Sequence, residues 1–367
     1  MAYRFVVLLL GLSILCVSPI IAEEWSMETQ GQVSLIHAQS FKAGFKDSPT
    51  TIRYIPELRL DQQVKAELRL GLDVALDLYN YSLGDSLTEM DVNFYRLGLR
   101  YDSPATQVRI GLQKINFGPA RMLRVLQWFD QVDVRDPLAL SPGVWAGLGH
   151  HYFENGVDLR LWMMADAPNQ WRNVAGSQDE WPWDLGARLE VPMPKGTLGM
   201  TIHQLDLTEV SGISETRTAA DIRFDAIIGL WSETMLSHVQ LPGSQMDMVT
   251  IMAGLDYTFG IGNGLYVAVE GLTSFAGAFD DTLDWQVRSV ALMSNYSLGL
   301  SDALVAYVYT METPAMDRKI IPMLGWNHTQ GNWLFYLAIY DMPQLAQIAS
   351  LTLPTGTGVQ FNVAYSH

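Results

Sequence analysis

Apolar and polar residues alternate along most of the chain with the two-residue period of a β-strand. The clearest case is AELRLGLDVALDLYN (66–80), in which every second residue from Ala66 to Leu78 is apolar. Charged residues of both signs lie between them. One face of this strand is therefore hydrocarbon and the other is charged. The stretch is also much longer than the usual globular strand of about five or six residues.

The same alternation recurs down the chain and predicts about 18 strands, with counts from 16 to 18 consistent with the pattern. Further examples are FYRLGLRY (94–101), QVRIGLQ (107–113), GVDLRLWM (156–163), LGARLEV (185–191), MVTIMAGLDYTF (248–259) and WLFYLAI (333–339). In the first of these, Tyr95 is predicted on the apolar face and Arg96 on the polar face.

Short turns alternate with longer polar segments between the predicted strands. The short turns are predicted at 61–63, 102–105, 154–156, 192–196, 260–264 and 329–331, and the longer segments near 41–49, 81–90, 117–144, 166–182, 207–214, 277–285 and 341–355. Outer-membrane barrels combine short periplasmic turns with long extracellular loops in this way. The pattern therefore predicts an all-β fold, a transmembrane antiparallel up-and-down β-barrel.

Aromatic residues near the predicted strand ends favour the same fold, because such residues form belts at the two membrane surfaces. They are Tyr101, Trp183, Tyr257, Phe259, Trp326 and Trp333. The final residues, GVQFNVAYSH (358–367), also alternate and resemble the C-terminal strand signal of outer-membrane proteins, although a terminal Phe is missing. The alternative, a secreted β-sandwich or β-helix, would expose a Leu- and Val-rich face to water and aggregate.

The first 22 residues predict a cleaved signal peptide, with Arg4, an apolar core and Ala22 before the cleavage point. A retained helix is the alternative. The one cysteine, Cys16, lies inside this segment, so the mature barrel of residues 23–367 is expected to have no disulfide and no thiolate site.

Composition narrows the class further. Hydrophobic residues make up 49% of the chain, yet no uncharged apolar run of about 20 residues follows the signal peptide, which argues against a helical membrane protein. The net charge of −16 argues against a nucleic-acid partner. Acidic residues in the predicted external segments either bridge lipopolysaccharide through divalent cations or keep those segments soluble.

The polar faces predict a charged pore. The predicted pore-lining basic residues are Arg53, Arg59, Arg69, Arg96, Arg100 and Arg109, and the acidic ones are Glu57, Glu67, Asp73 and Asp77. Neighbouring inward arginines would create a positive field and bind carboxylates or phosphates. The compatible alternative is that these residues pair across strands and stabilise the barrel.

The longest connection, 116–144, would be the third extracellular loop, and it is too apolar to lie free in water. We expect it to fold into the lumen and narrow the pore against the arginine wall. Its charged residues are Arg121, Arg124, Asp130, Asp133 and Asp136, and the three aspartates are expected to supply the opposing negative charge. A calcium site at these aspartates is a weaker alternative, because their spacing lacks the dense oxygen pattern that calcium needs.

Part of this region resembles a known family. RIGLQKINFGPARMLRVLQWFD (109–130) is similar to the R-x-G-x-Q-x-x-x-aromatic-G-x-x-R segment of alginate-export-like and related porin-type barrels, through Arg109, Gly111, Gln113, Phe117, Gly118 and Arg121. The resemblance implies an outer-membrane channel with an arginine-bearing interior, for acidic polysaccharide, small organic acids or other cargo. Leu112 replaces an arginine of the family, which argues against polyuronate export.

The predicted function is a porin-like outer-membrane channel for small hydrophilic solutes, with anions among the candidates, and with no cofactor and no bound metal. The alternative is a non-conducting barrel that serves as a scaffold for an export or electron-transfer partner. The expected partners of the protein are outer-membrane lipid, lipopolysaccharide, the solute and the assembly machinery. The oligomeric state stays open.

The sequence does not indicate an enzyme. No histidine lies in a metal-binding spacing and no G-x-S-x-G motif is present, although a triad assembled from distant strands stays open.

Overall fold

The computed structural model describes residues 23–41, 48–84, 87–130, 132, 136–141, 143–165, 183–207, 211–277, 285–342 and 356–367. The predicted signal peptide lies outside them. The strands are β1 (Glu23–Ser40), β2 (Pro49–Lys65), β3 (Leu68–Leu83), β4 (Leu87–Asp102), β5 (Thr106–Gln113), β6 (Val144–Tyr152), β7 (Asp158–Ala165), β8 (Trp183–Met193), β9 (Gly196–Leu207), β10 (Ile213–Asp225), β11 (Gly229–Leu241), β12 (Ser244–Phe259), β13 (Leu265–Gly277), β14 (Trp285–Ser297), β15 (Asp302–Thr313), β16 (Met316–Gln330), β17 (Trp333–Met342) and β18 (Gly356–Ser366).

All 18 strands belong to one closed antiparallel sheet. Each strand pairs with its neighbours in chain order, and β1 closes the barrel by pairing with both β2 and β18. Leu35, for example, lies opposite Ile52 on one side and Val363 on the other. Closure satisfies the backbone N–H and C=O groups that an open sheet edge would leave bare. The predicted barrel and the predicted count of about 18 strands are confirmed.

The two faces of the strands differ as the alternation predicts. Ile110, Leu161 and Leu324 lie on the outer face and are 60%, 53% and 55% exposed. The side chains between such positions point inward, and Met164 and Met252 among them are fully buried. A closed sheet with hydrocarbon on its outside is suited to contact with lipid. Within the described residues, no helix is long and apolar enough to cross a bilayer.

The third strand, β3, begins two residues later in the chain than the sequence predicts. Residues 61–63, predicted to be a turn, lie inside β2, which continues to Lys65. Asp61 stays in the strand because it lies opposite Gly71 and binds the guanidinium of Arg100. The turn is at 66–67, so Glu67, predicted to line the pore from a strand, lies exposed in the turn before β3.

Two connections on the side of the predicted long loops are tight turns. They are the two-residue links 242–243, between β11 and β12, and 314–315, between β15 and β16. The first accommodates its reversal through Gly243, which has a φ of 83°. The predicted alternation of short and long connections therefore does not hold at these two positions.

A β-bulge in β4 changes the position of Tyr95. Ala75 lies opposite Arg96 and the next residue, Leu76, lies opposite Phe94, so Tyr95 has no partner in the register. The extra residue ends the alternation of the first half of β4 and starts a new one. Tyr95 was predicted on the lipid face, and that prediction is wrong: its ring contacts the Arg96 guanidinium at 4.1 Å on the polar side.

The aromatic residues predicted at strand ends are exposed on the outer face. Tyr101, Tyr257, Phe259, Trp326 and Trp333 are between 37% and 45% exposed. All five lie near the end of the barrel that carries the short turns 103–105, 260–264 and 331–332. They form a belt at that end, as is usual at a membrane interface. The side chain of Trp183 lies outside the described part of the chain.

Gly111 is a position where β5 accepts no side chain. Its φ is 132°, and a Cβ there would lie 2.1 Å from the carbonyl oxygen of Leu97. We expect Gly111→Ala to lower the free energy of unfolding by about 1–3 kcal/mol, because the strained backbone must move. Urea unfolding of the refolded barrel measures this. Gly147→Ala is the control, since a Cβ there meets no described heavy atom within 4 Å; an equal loss in both variants would contradict the prediction.

Candidate functional site

Three of the predicted pore arginines are paired with carboxylates on neighbouring strands. Arg53 binds Asp77 through two hydrogen bonds of 2.7 Å, from Nε and Nη2 to the two carboxylate oxygens. The Nε atom of Arg59 lies 3.1 Å from Asp73, on the adjacent strand β3. Such cross-strand pairs stabilise the sheet and leave little net charge in the lumen.

Arg100 is the most enclosed of the three. Its Nε lies 2.6 Å from Asp102, its Nη1 lies 3.1 Å from Asp73, and its Nη2 binds Asp61. One buried guanidinium therefore joins carboxylates of β2, β3 and β4. This arrangement supports the interpretation of Arg53, Arg59 and Arg100 as structural ion pairs, the alternative that the sequence left open.

Arg96 and Arg109 are different, because no carboxylate among the described residues pairs with either. Arg96 donates a hydrogen bond of 3.1 Å from Nη2 to the backbone oxygen of Ser141. The Nε of Arg109 is buried and has no hydrogen-bond acceptor within the part of the chain that the structure describes. Arg69 lies apart from both, exposed at the start of β3.

These two arginines line one cavity of about 270 Å³. The basic residues around it are Arg59, Arg96, Arg109 and Lys114, and the acidic ones are Glu28, Glu57 and Asp73. Glu57 accepts a hydrogen bond of 2.7 Å from the Gln30 side chain, and Asp73 forms ion pairs with Arg59 and Arg100. Arg59 is paired with Asp73 and Lys114 with Asp130, which leaves Arg96 of β4 and Arg109 of β5 as the bases of the cavity that have no carboxylate partner among the described residues.

Residues 114–130 follow β5 and contact the inner faces of strands on another part of the wall. Backbone N–H groups of this segment, between Ala120 and Leu126, donate hydrogen bonds to Glu233 of β11 and Glu270 of β13. The Nη2 atom of Arg121 lies 3.0 Å from Asp256 of β12. The segment is thus attached to three consecutive strands that are distant from β5 in the sheet order.

Apolar side chains of the segment pack against one another and against the inner faces of β7 and β9. Phe117, Trp128 and Phe129 form edge-to-face contacts with ring centroids 5.4 to 6.1 Å apart. Phe117 also stacks on Trp162 of β7 at 5.5 Å, and Phe129 contacts the His203 ring of β9 at 5.0 Å. This cluster explains why the connection is so apolar, since its side chains are buried against the barrel wall rather than in water.

The charged residues predicted for this connection are not arranged as expected. Asp130 is fully buried, 3.2 Å from Lys114 Nζ and 3.8 Å from Arg124 Nη1, so bases of the same segment compensate its charge. Asp136 accepts a hydrogen bond of 3.0 Å from the backbone N–H of Leu138. Asp133 lies outside the described residues. Asp130 therefore does not present a free negative charge to the arginine wall.

Reasoning from sequence missed Glu233, Glu270 and Lys114. The two glutamates are single carboxylates at inward positions of otherwise apolar strands, in LWSETML (230–236) and YVAVEGL (266–272). A buried carboxylate needs donors, and this was the one available signal that something contacts them. No group of three His, Cys, Asp or Glu side chains suited to a metal ion occurs within the described ranges.

No family model matches the chain, and no curated protein matches it. The resemblance to the alginate-export-like family is therefore not confirmed. Solved structures do match. The OccAB4 protein of Acinetobacter baumannii is 8% identical, with a TM-score of 0.60, over 95% of this chain and 100% of that one. OccK5 (OpdH) of Pseudomonas aeruginosa is 10% identical, with a TM-score of 0.58, over 94% and 98%.

A third match is the anion-selective porin from Comamonas acidovorans, 16% identical with a TM-score of 0.51, over 94% of this chain and 100% of that porin. At such identities the likeness shows a shared fold. The closed barrel of 18 strands, its apolar outer face and these neighbours together define the fold class: a closed antiparallel β-barrel of the type found in outer-membrane porins.

Proposed function

We propose that the protein is a porin-like channel through which small hydrophilic solutes, anions in particular, diffuse across the outer membrane. The observation that carries the proposal is the cavity lined by Arg96 and Arg109, two arginines that pair with no carboxylate among the described residues. Passage requires no chemical step. A positive field in a narrow, low-dielectric space raises the local concentration of anions and lowers that of cations.

The narrow part of the channel would be the 114–130 segment. It leaves the wall after Gln113 of β5 and is attached to β11, β12 and β13, and β12 is the seventh strand after β5 in a barrel of 18. Between these points its aromatic side chains contact Trp162 of β7 and His203 of β9, so the segment follows the inner face of the wall. A segment on this course would take up part of the lumen and leave the basic cavity beside it as the route for solutes.

The distribution of ion pairs favours Arg96 and Arg109 as the selectivity residues. Arg53 and Arg100 are neutralised by aspartates at hydrogen-bonding distance, so they contribute little to the field outside their own pairs. The guanidinium groups of Arg96 and Arg109 retain their charge toward the cavity. Arginine also presents a planar set of donors that fits a carboxylate or a phosphate.

The alternative, a non-conducting scaffold, requires a wide lumen that a partner can occupy. The attachment of residues 114–130 to β11–β13 argues for the channel instead, because it leaves less space for a protein inside the barrel. That the protein has no enzymatic activity and no cofactor stays a prediction. Outer-membrane lipid and lipopolysaccharide remain its expected surroundings.

Planar-bilayer recording tests the channel directly. We expect current from the wild-type protein, and a ratio of anion to cation permeability that falls roughly two- to fivefold in Arg96→Ala/Arg109→Ala, since two uncompensated positive charges are lost. Arg53→Ala/Asp77→Ala removes a neutral pair and is the control, with an expected ratio close to wild type.

Absence of current above background from correctly folded protein would refute the channel. Current with an unchanged permeability ratio in the Arg96/Arg109 variant would assign these arginines to structure instead. A refolded barrel is recognised by its faster migration in SDS gels before heating, which separates a loss of function from a loss of fold.

A further inference from the structure

The 114–130 segment has no helix or strand of its own, so its backbone N–H groups lack the partners that regular structure supplies. Buried N–H groups without acceptors are costly. In this segment two glutamates of the barrel wall provide the acceptors. They are separated from the residues they bind by 107 to 149 positions in the sequence.

Glu270 accepts hydrogen bonds from three consecutive residues of the segment. Its Oε1 accepts the N–H of Arg121 at 2.7 Å, and its Oε2 accepts the N–H groups of Met122 and Leu123 at 2.8 and 2.5 Å. The indole Nε1 of Trp231 donates a further hydrogen bond of 2.9 Å to Oε1. Successive N–H groups that converge on one anion form a concave anion-binding site in the backbone.

Glu233 binds the segment at two places, one on either side of these three residues. Its Oε1 accepts the N–H of Ala120 at 2.9 Å, and its Oε2 accepts the N–H of Leu126 at 3.0 Å. Gly118 lets the chain approach this closely: its φ is 90°, and a Cβ there would lie 2.3 Å from Glu233 Oε1. A residue larger than glycine would therefore displace the carboxylate.

Both carboxylates are buried, with Glu233 1% and Glu270 0% exposed. Within the described residues neither forms an ion pair with a lysine, arginine or histidine. Backbone N–H groups and, for Glu270, the Trp231 indole N–H are the donors that the described residues offer to them. The pair therefore binds the backbone of residues 120–126 by itself, independently of which side chains that stretch carries.

We propose that Glu233 and Glu270 are positioning residues that hold the segment in place inside the barrel and so set the width of the pore. The proposal rests on the channel function proposed above. It assigns control of the constriction to strands β11 and β13, whereas ion selectivity belongs to β4 and β5. Arg121, bound to Asp256 and 5.5 Å from the Trp231 ring, adds a third attachment between them.

Replacement of a glutamate by glutamine keeps the shape and turns one accepting oxygen into a donating amide group. Glu270→Gln is expected to disturb at least two hydrogen bonds and Glu233→Gln at least one, so the effects should increase from Glu233→Gln to Glu270→Gln to the double variant. In the double variant we expect the segment to leave the wall and single-channel conductance to rise about twofold or more. Arg53→Ala/Asp77→Ala removes a buried carboxylate of the inner wall together with its counter-charge and is the control, with wild-type conductance expected.

Limited trypsin digestion of the folded barrel gives a second readout that does not depend on conduction. Cleavage after Arg121 and Arg124, identified by mass spectrometry, should be absent in wild type and in Arg53→Ala/Asp77→Ala and present in the double variant of the two glutamates. Gly118→Ala approaches the same contact from the segment and should also allow cleavage. It replaces the glutamate variants if they fail to fold.

The outcomes separate the two proposals. If wild type carries no current but the variants become sensitive to trypsin, the channel is refuted and the attachment by the two glutamates stands. If folded variants keep both wild-type conductance and resistance to trypsin, the positioning role is refuted and the channel stands. Cleavage with unchanged conductance would refute the control of pore width.

Discussion

Replacement of Arg188 by methionine is expected to lower the free energy of unfolding of the barrel by about 3–5 kcal/mol, because it leaves a buried carboxylate without its counter-charge. The side chains of Arg188 and Asp221 are 2% and 3% exposed. The arginine binds this aspartate with both terminal nitrogens, at 2.6 and 3.0 Å, and also donates to Thr201 at 2.9 Å. Methionine fills similar space but offers no donor to any of these groups.

Removal of both partners tests the reason for this loss. Arg188→Met/Asp221→Leu is expected to regain at least half of the lost stability, since a buried pair can be exchanged for apolar residues at little cost. Urea unfolding followed by tryptophan fluorescence compares the variants. Arg223→Met removes an exposed pair with Asp225, 2.9 Å apart, and is expected to change stability by less than about 1 kcal/mol. Equal losses for Arg188→Met and Arg223→Met would contradict the burial argument.

An arginine on the outer face is expected to be costly at the middle of a strand and tolerated at its end. Ile251 lies in the middle of β12 on the exposed apolar face, and Phe259 is the last residue of the same strand. In lipid vesicles, Ile251→Arg should cost about 2–4 kcal/mol and Phe259→Arg about 0–1 kcal/mol, because the first guanidinium lies at the hydrocarbon centre and the second reaches the interface.

Unfolding of both variants in vesicles of one lipid composition measures this difference. Thr250→Arg introduces the same side chain one residue away on the inner face, where a large loss would come from steric crowding rather than from lipid. A cost at Ile251 no greater than that at Phe259 would show that the outer face of β12 does not lie in hydrocarbon.

The elements could be predicted largely from sequence, and the exceptions have local causes. Polar residues at 61–63 indicated a turn, but Asp61 is polar because it binds Arg100 across two strands. Tyr95 was assigned to the lipid face because strict alternation was assumed, whereas a bulge shifts β4 by one residue. A bulge and a polar residue inside a strand both depend on the neighbouring strand, which a single segment does not reveal.

Part of the candidate site was also predictable. Arg96 and Arg109 were expected on the inner faces of successive strands, and the structure places both at one cavity. The fate of Arg53, Arg59 and Arg100 was open, because an inward arginine lies equally well beside a carboxylate or beside water. Only the register, with Arg59 opposite Asp73 and Arg53 two residues from the level of Asp77, makes the pairs.

The sequence by itself determined the sheet, the approximate number of strands and the face that most strand residues present, because the two-residue period is a local property of the chain. The tertiary structure decided which charges are neutralised and where residues 114–130 are attached. The ion pairs depend on the register of neighbouring strands, and the attachments join residues more than a hundred positions apart, as between Ala120 and Glu233. A buried glutamate in an apolar strand indicates that a donor must exist, but only the folded chain shows that the donor is the backbone of a distant segment.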